Sequence, residues 1–336
     1  MQEPSTLRRW QLPAFGRTHL EQVEAPLPAP GPGQVLVKVD AVSLNYRDLL
    51  MLEDGMGMAL DLPLVPGSDM AGTVVAAGPG VRRFAAGDRV VNTFWGGWID
   101  GHWQPGAVLA GGPGPGMLAS HAVIDAEWAV AAPATLTPAE ASTLPCAGLT
   151  AWFALAELGA LRAGQTVLIH GTGGVALFGL QIARLHGARA IVVSGSTDKH
   201  DAVRALGASE VLARGSDWPA EVRRLTGGRG VEHVLELASG PNLDRSLRAC
   251  AQGGRVSVIG MLEGTTLGAS FYGMVHARAT VQGIGVGHRR ALEDLVRAID
   301  VNGLRPVIAA RYDFDALPRA LDHLARGAFG KIVVTP

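Results

Sequence analysis

Apolar and polar positions alternate with period two over Gln34-Val-Leu-Val-Lys-Val-Asp40, the pattern of a strand with one buried face. Gly72-Thr-Val-Val-Ala-Ala77 predicts a second strand, closed by the turn residues Gly78-Pro79-Gly80. Residues 84–91 predict a turn followed by a third strand. From Asn92 to Gly116 no period holds, and glycine, tryptophan and proline dominate. A long ordered loop is expected there, because Trp95, Trp98 and Trp103 argue against disorder. The first 145 or so residues therefore read as β-rich.

After about residue 147 the texture changes. Thr166-Val-Leu-Ile-His170 predicts a short strand and 175–185 has helical spacing; a strand over 190–193 and a helix over 201–206 repeat the unit. Residues 211–212, 231–237, 255–259 and 279–284 continue the strand series. Strands alternating with helices predict an α/β fold with a parallel, doubly wound sheet. Past Gly287 a helix is expected over 290–300, helical content over 312–324 and a last strand over 331–335. Periodicity alone assigns this tail to neither half.

Composition narrows the class. The 336 residues are long enough for about two domains, and 48% hydrophobic residues can fill sizeable cores. A net charge of -1 removes the electrostatic footprint of a general nucleic-acid binder. Two cysteines exclude a disulfide scaffold and a four-cysteine zinc lobe. No apolar run reaches the roughly 18 residues of a membrane span. The opening MQEPSTLRRWQLPAF lacks the apolar centre of a signal peptide, so a cytoplasmic location is expected. Glycine, 45 residues, is present at about twice its usual share.

Part of that excess carries chemistry. Gly171-Thr172-Gly173-Gly174-Val175-Ala176 follows a predicted strand and opens a predicted helix, the setting in which a GxGxxA run binds a dinucleotide pyrophosphate. Gly171 permits the tight turn, Gly173 lets backbone approach the phosphates, and the helix N-terminus offers free amides. About 20 residues on, an NAD site normally carries an acid for the ribose hydroxyls. Here Ser194 stands in that place, followed by Ser196 and Lys199, with Arg214 after the next strand. Hydroxyls and cations suit a 2′-phosphate, so NADP(H) is expected. Ile259, Gly260, Gly285 and Val286 close two strands at their carboxyl ends, where ligands of open α/β sheets bind.

Several stretches in order resemble the medium-chain dehydrogenase/reductase superfamily: Val65-Pro-Gly-Ser-Asp-Met-Ala-Gly72, Gly78-Pro-Gly-Val81, Phe84-Ala-Ala-Gly-Asp-Arg-Val90, Cys146-Ala-Gly-Leu-Thr-Ala-Trp152, the glycine loop and Gly330-Lys331. The resemblance implies a GroES-like catalytic domain from 1–146 and 287–336, a Rossmann NADP(H) domain at 147–286, and a cleft between them. It implies nicotinamide-side contacts from Thr150 and a cofactor contact from Lys331. A homo-oligomer, dimer or tetramer, is expected on the same grounds.

The departures from that pattern bear on mechanism. Where zinc-dependent members carry a first cysteine, this chain has Asn45; where they carry a His-Glu pair it has Ser68-Asp69; only Cys146 matches a ligand position. One thiolate without imidazole does not make a catalytic zinc site, so no metal is expected, and Cys146 reads as a small buried residue. What remains resembles the zinc-free quinone oxidoreductase and enoyl reductase branch. Without a Lewis acid, hydride addition relies on hydrogen bonds and positioning, which suits quinones and α,β-unsaturated carbonyls. Asn45 and Tyr46 are the expected donors, with Asp48 as a third catalytic candidate that also fits a helix cap. Loop anchoring is the expected role of the tryptophans, with an aromatic pocket wall as the other reading. The rival functions are an alcohol or aldehyde dehydrogenase of the same superfamily and a catalytically silent NADPH-binding protein. A small-molecule quinone, enone or carbonyl is the expected partner, with no nucleic acid and no membrane.

Overall fold

The computed structural model describes residues 5–103 and 105–336; residues 1–4, which open the signal-peptide reading, and Gln104 in the tryptophan loop lie outside the described residues. The chain divides into one unit of Met1–Leu149 with Gly287–Pro336 and another of Thr150–Val286. Among the described residues no helix is long and apolar enough to cross a membrane.

The first unit is built on the strand Gln34–Leu44. Val35, Leu36, Val37, Val39, Ala41, Val42 and Leu44 are all buried along it, so the expected half-buried alternation survives only at its polar positions, and the strand runs four residues past its predicted end. Its sheet has the order Ile308–Asp313, Lys331–Thr335, Gln34–Leu44, Met70–Ala77, Arg89–Asn92, Ala129–Ala131, with His121–Asp125 also pairing the central strand. The closing strand pairs antiparallel with Ile332 opposite Leu44 and Val334 opposite Val42, which carries Lys331 to the edge of Asn45. The tail differs from expectation at its start: Ile308–Asp313 is a strand, alternating half-buried and exposed positions, and the helix begins only at Leu317, with Pro318 in its first turn. The loop after Asn92 is ordered by a small antiparallel pair, Trp95–Gly96 with Val108–Leu109.

The second unit holds a six-stranded sheet in which every neighbouring pair is parallel: Glu210–Ala213, Arg189–Ser194, Thr166–His170, Val231–Glu236, Cys250–Val258, Thr280–Gly283. In chain order this is third, second, first, fourth, fifth, sixth. The direction of winding therefore reverses between Thr166–His170 and Val231–Glu236, the switch point where open α/β sheets bind ligands. Strands covered on both faces read as near-continuous apolar runs, and Val167, Leu168, Ile169 and Ala190 to Val193 are buried without a break. Trp218, Leu243 and Leu247 pack on one face around Leu168 and Val234.

Gly72 marks where the first sheet tolerates no side chain: a Cβ there would lie 2.3 Å from the Lys38 carbonyl oxygen and 2.6 Å from Val37 Cγ1. The obstacle is backbone and cannot swing aside. Gly72→Ala is expected to cost about 1–3 kcal/mol of unfolding free energy, read as a lower urea midpoint with an unchanged slope.

Candidate active site

Asn45 occupies the junction between the central strand and the helix Tyr46–Asp54, and is its N-cap with extended backbone. Its amide donates to Asp48 Oδ2 at 2.7 Å, half of a capping box. Asp48, one of the expected catalytic residues, is 1% exposed and is taken up by this cap and by Arg47, whose guanidinium lies 3.3 Å from its other oxygen. The same guanidinium donates to the carbonyls of Ala110 and Gly111, tying the helix start to the tryptophan loop. Burial raises the Asp48 pKa, opposed by Arg47 and by the Asn45 amide. The structure gives Asp48 a capping role.

A second network starts from the other side of Asn45. Lys331, 4% exposed, donates through Nζ to Asn45 Oδ1 and to the Leu44 carbonyl, both at 2.6 Å. Asn45 Nδ2 donates to Ser68 Oγ at 3.3 Å, Ser68 Oγ donates to Asp69 Oδ1 at 2.6 Å, and the Cys146 amide donates to Asp69 Oδ2 at 3.1 Å. An ammonium is thereby linked to a carboxylate through one amide and one hydroxyl. Lys331, expected at the cofactor, gives two of its three N–H donors here: a buried ammonium needs acceptors, and the strand register brings two of them to it. Asp69 is completely buried, and desolvation raises its pKa to about 6 against the pull of Lys331 and the Ser68 bond.

This donor set is a poor match to catalytic zinc, which takes thiolate, imidazole or carboxylate ligands. Burial, and then Asp69, push the Cys146 thiol up, so it stays protonated at neutral pH. An ammonium already sits against Asn45, and among the described residues no three of His, Cys, Asp and Glu are grouped to hold a metal.

Tyr46 stands apart from both networks. It is 46% exposed, and its phenol makes no hydrogen bond among the described residues. The tryptophans pack on one another: Trp103 meets Trp95 edge-on at 4.6 Å and Trp98 at 5.2 Å, and Trp98 meets His288 at 5.5 Å. This geometry fits loop anchoring, with Trp103 half-exposed.

In the second unit, Gly171 has φ +85° and both it and Gly173 have open space where a Cβ would stand. They lead into the helix Gly174–Leu185, whose first turn contains Val175 and whose start offers unpaired amides. Thr172 lies almost buried beside them. This backbone fits a pyrophosphate. Ser194 differs from expectation: it is 2% exposed, and its hydroxyl donates to the Ser196 carbonyl and accepts the Ser196 amide, shaping the turn. The cation beside that turn is Arg214, whose guanidinium would lie 3.4 Å from a Cβ on Gly195 and whose Nη1 is 3.3 Å from Glu263. Lys199 ends the short helix after the turn. Ile259 and Gly260 both donate their amides to the Glu236 carbonyl; Gly285 and Val286 follow the last strand, Val286 with φ 70°. Thr150, the first residue of this unit, is 3% exposed.

Sequence reasoning missed the carboxylate behind these turns. His170 has no carboxylate close to it in sequence, yet its Nε2 lies 3.0 Å from Ser246 Oγ and 3.7 Å from Glu236 Oε2. A carboxylate at the end of the strand Val231–Glu236 was the available signal.

Comparison with known proteins agrees with this fold. Residues 31–134 match the alcohol dehydrogenase GroES-like domain and residues 174–300 the family called zinc-binding dehydrogenase. A zinc-type alcohol dehydrogenase-like protein of Schizosaccharomyces pombe is 35% identical over 335 residues, 96% of each chain. A candidate alcohol dehydrogenase from Sinorhizobium meliloti 1021 superposes with TM-score 0.97 at 50% identity over 100% of both chains. An NAD-dependent alcohol dehydrogenase superposes with TM-score 0.90 at 31% identity over 98% of this chain and 99% of the other. The chain also aligns within polyketide synthases, spanning 20% of one from Mycobacterium tuberculosis and 15% of one from Streptomyces orinoci.

The buried Asp69 sets a pH dependence. Its folded pKa, about 6, lies above the ordinary carboxyl value of 3.8, so the folded chain binds the proton more tightly and stability falls as pH rises between those values. The loss attributable to this group is about 2 kcal/mol between pH 4 and pH 7. Asp69→Asn should remove that fall. Chemical denaturation of both proteins across this range checks it, and parallel profiles would exclude Asp69 as the source.

Proposed function

The chain belongs to the medium-chain dehydrogenase/reductase superfamily, and within it we propose a zinc-independent, NADPH-dependent oxidoreductase that reduces a quinone or an α,β-unsaturated carbonyl. The observation that carries the reading is the replacement of a metal-binding donor set by the chain Lys331–Asn45–Ser68–Asp69. Without a Lewis acid, the acceptor itself must spread the arriving charge, as conjugated carbonyls and quinones do.

A nicotinamide cofactor supplies the hydride when bound. The residues of the chain bind and orient. Gly171, Gly173 and the start of the Gly174–Leu185 helix cradle the pyrophosphate, and Arg214 meets the 2′-phosphate beside the Ser194–Ser196 turn. Lys331 polarises the Asn45 amide by donating to its oxygen, which makes the Nδ2 hydrogens stronger donors. Tyr46 offers an exposed phenol with no internal partner, and is the donor best placed to meet developing negative charge on a substrate oxygen.

The names of the relatives favour a second reading, an alcohol or aldehyde dehydrogenase, and one of them is called NAD-dependent. The buried ammonium against Asn45, at a position where zinc-dependent members carry a ligand, weighs against metal-assisted alcohol oxidation. The missing acid at Ser194 and the presence of Arg214 weigh against NAD.

Two experiments test the proposal. Tyr46→Phe is expected to lower kcat on a quinone or enone about 100-fold with the NADPH Kd unchanged; undiminished kcat would remove Tyr46 from the chemistry. Arg214→Ala should weaken NADPH about tenfold and leave NADH nearly untouched. Equal losses for the two cofactors, or zinc-dependent alcohol oxidation by the unaltered enzyme, would overturn the reading.

A further inference from the structure

Glu236 and His170 end the two strands that flank the switch point of the six-stranded sheet, Val231–Glu236 and Thr166–His170. Glu236 is fully buried, and its carboxylate is satisfied almost entirely by neutral donors. Oε1 accepts the amides of Ala238 and Ser239, each at 2.9 Å, and Asn242 Nδ2 at 3.1 Å. Oε2 accepts Asn242 Nδ2 at 2.9 Å and Ser246 Oγ at 2.5 Å. Since the Ser246 hydroxyl gives its one proton to Glu236, His170 must donate to Ser246 Oγ through Nε2–H. Burial lowers the His170 pKa, leaving a neutral ring whose tautomer the carboxylate dictates.

The arrangement resembles a nucleophilic triad in composition only. Ser246 is fully buried and its proton points to the acid, so it attacks nothing. Its geometry serves the turns instead. Two amides aimed at one carboxylate oxygen bend the chain after the strand, and Ser239 takes φ 57°, a left-handed conformation that costs a non-glycine residue about 1–3 kcal/mol unless its surroundings impose it. Ser239 Oγ then donates to the Gly260 carbonyl, while the Glu236 carbonyl accepts the Ile259 and Gly260 amides. A Cβ on Gly260 would lie 2.1 Å from the Leu237 carbonyl oxygen, so the two turns press backbone against backbone. On the other side the chain Glu236–Ser246–His170 holds the residue immediately before Gly171. The indole of Trp218 packs edge-on against the His170 ring at 4.9 Å, with the Arg245 guanidinium over its other side at 4.7 Å.

We propose that Glu236 is the positioning residue of the dinucleotide site: one buried carboxylate sets the relative placement of the Gly171 loop, the 237–242 turn and the 258–260 turn. This rests on the nicotinamide-cofactor reading given above. Glu236 touches none of the cofactor's expected phosphates; it acts through the backbone of the turns around the expected site.

The test compares Glu236→Gln with the unaltered enzyme by NADPH titration, steady-state kinetics and thermal melting. Glutamine keeps the shape but replaces an acceptor by a donor, so one of the turns loses its anchor. The folded variant is expected to bind NADPH at least tenfold more weakly, with the loss in KM for NADPH rather than in kcat. A merely structural role would lower the melting temperature and leave the Kd of the folded protein alone. If Glu236→Gln does not fold, Ser246→Ala, which removes one donor to Glu236 and with it the link to His170, should still raise the NADPH Kd about threefold. Wild-type affinity in a folded Glu236→Gln protein, or in Ser246→Ala where that is the variant that folds, overturns the inference while leaving the cofactor reading intact. An unaltered enzyme that binds neither NADPH nor NADH overturns both.

Discussion

A buried ammonium has to be answered by acceptors, and much of the first unit is arranged to answer Lys331. Removing such a charge from water costs several kcal/mol unless hydrogen bonds and opposite charge replace the lost solvation. The Leu44 carbonyl and Asn45 Oδ1 supply the bonds at 2.6 Å, and Asp69 and Asp48 supply the charge. Both acceptors are available because the last strand pairs with the central one in a single register, Ile332 opposite Leu44. A one-residue slip would turn the ammonium to the other face and bury it against Val and Leu. The constraint therefore works in both directions: the sheet places the lysine, and the lysine penalises every other register.

The second unit uses the same logic with the opposite sign. Glu236 is a buried carboxylate met by two amides, a side-chain amide and a hydroxyl. In each unit the charge lies at the end of a strand, where the ladder stops and backbone groups fall free. The carboxyl ends of its strands are where the parallel sheet of the second unit offers ligands its loops, so the charge satisfied at Glu236 stiffens the surface that function needs. The apolar cores beneath, Val35 to Leu44 in one unit and Val167 to Ile169 with Ala190 to Val193 in the other, supply cohesion but no direction.

The strands and the glycine loop were legible because their signals are local. Period-two alternation marked residues 34–40, apolar runs marked 166–170 and 190–193, and a strand–glycine–helix sequence marked 171–176. The tail was less legible: the alternation over Ile308–Asp313 is too short to outweigh the helical spacing that follows it. The sites were only partly legible, for a physical reason. Residue type told which groups had replaced metal ligands, but not which of their atoms were free. Asp48 and Lys331 carry charges that suggest chemistry, and both make hydrogen bonds within the chain that residue type does not announce; Ser194 carries a hydroxyl that its own turn uses. Hydrogen-bond partners more than 200 residues apart, as for Lys331 and Asn45, leave no trace in local pattern.

What distinguishes a reacting group from a supporting one in this fold is thus unspent capacity, not polarity. Asn45, Ser68 and Asp69 form a chain in which each accepts what the last donates, and such chains hold shape because no member can turn without stranding its neighbour. Tyr46 comes one residue after that chain begins, on a helix start that Asp48 and Arg47 pin in place, yet its own phenol is exposed and unbonded. A donor that is free at its tip and fixed at its base keeps the orientation a transition state requires without losing a bond when substrate arrives. Under the proposed function, a hydrogen-bonded ammonium standing where relatives would hold a metal would supply orientation of that kind but little raw polarising power, and this is the physical ground for proposing acceptors that delocalise their own charge.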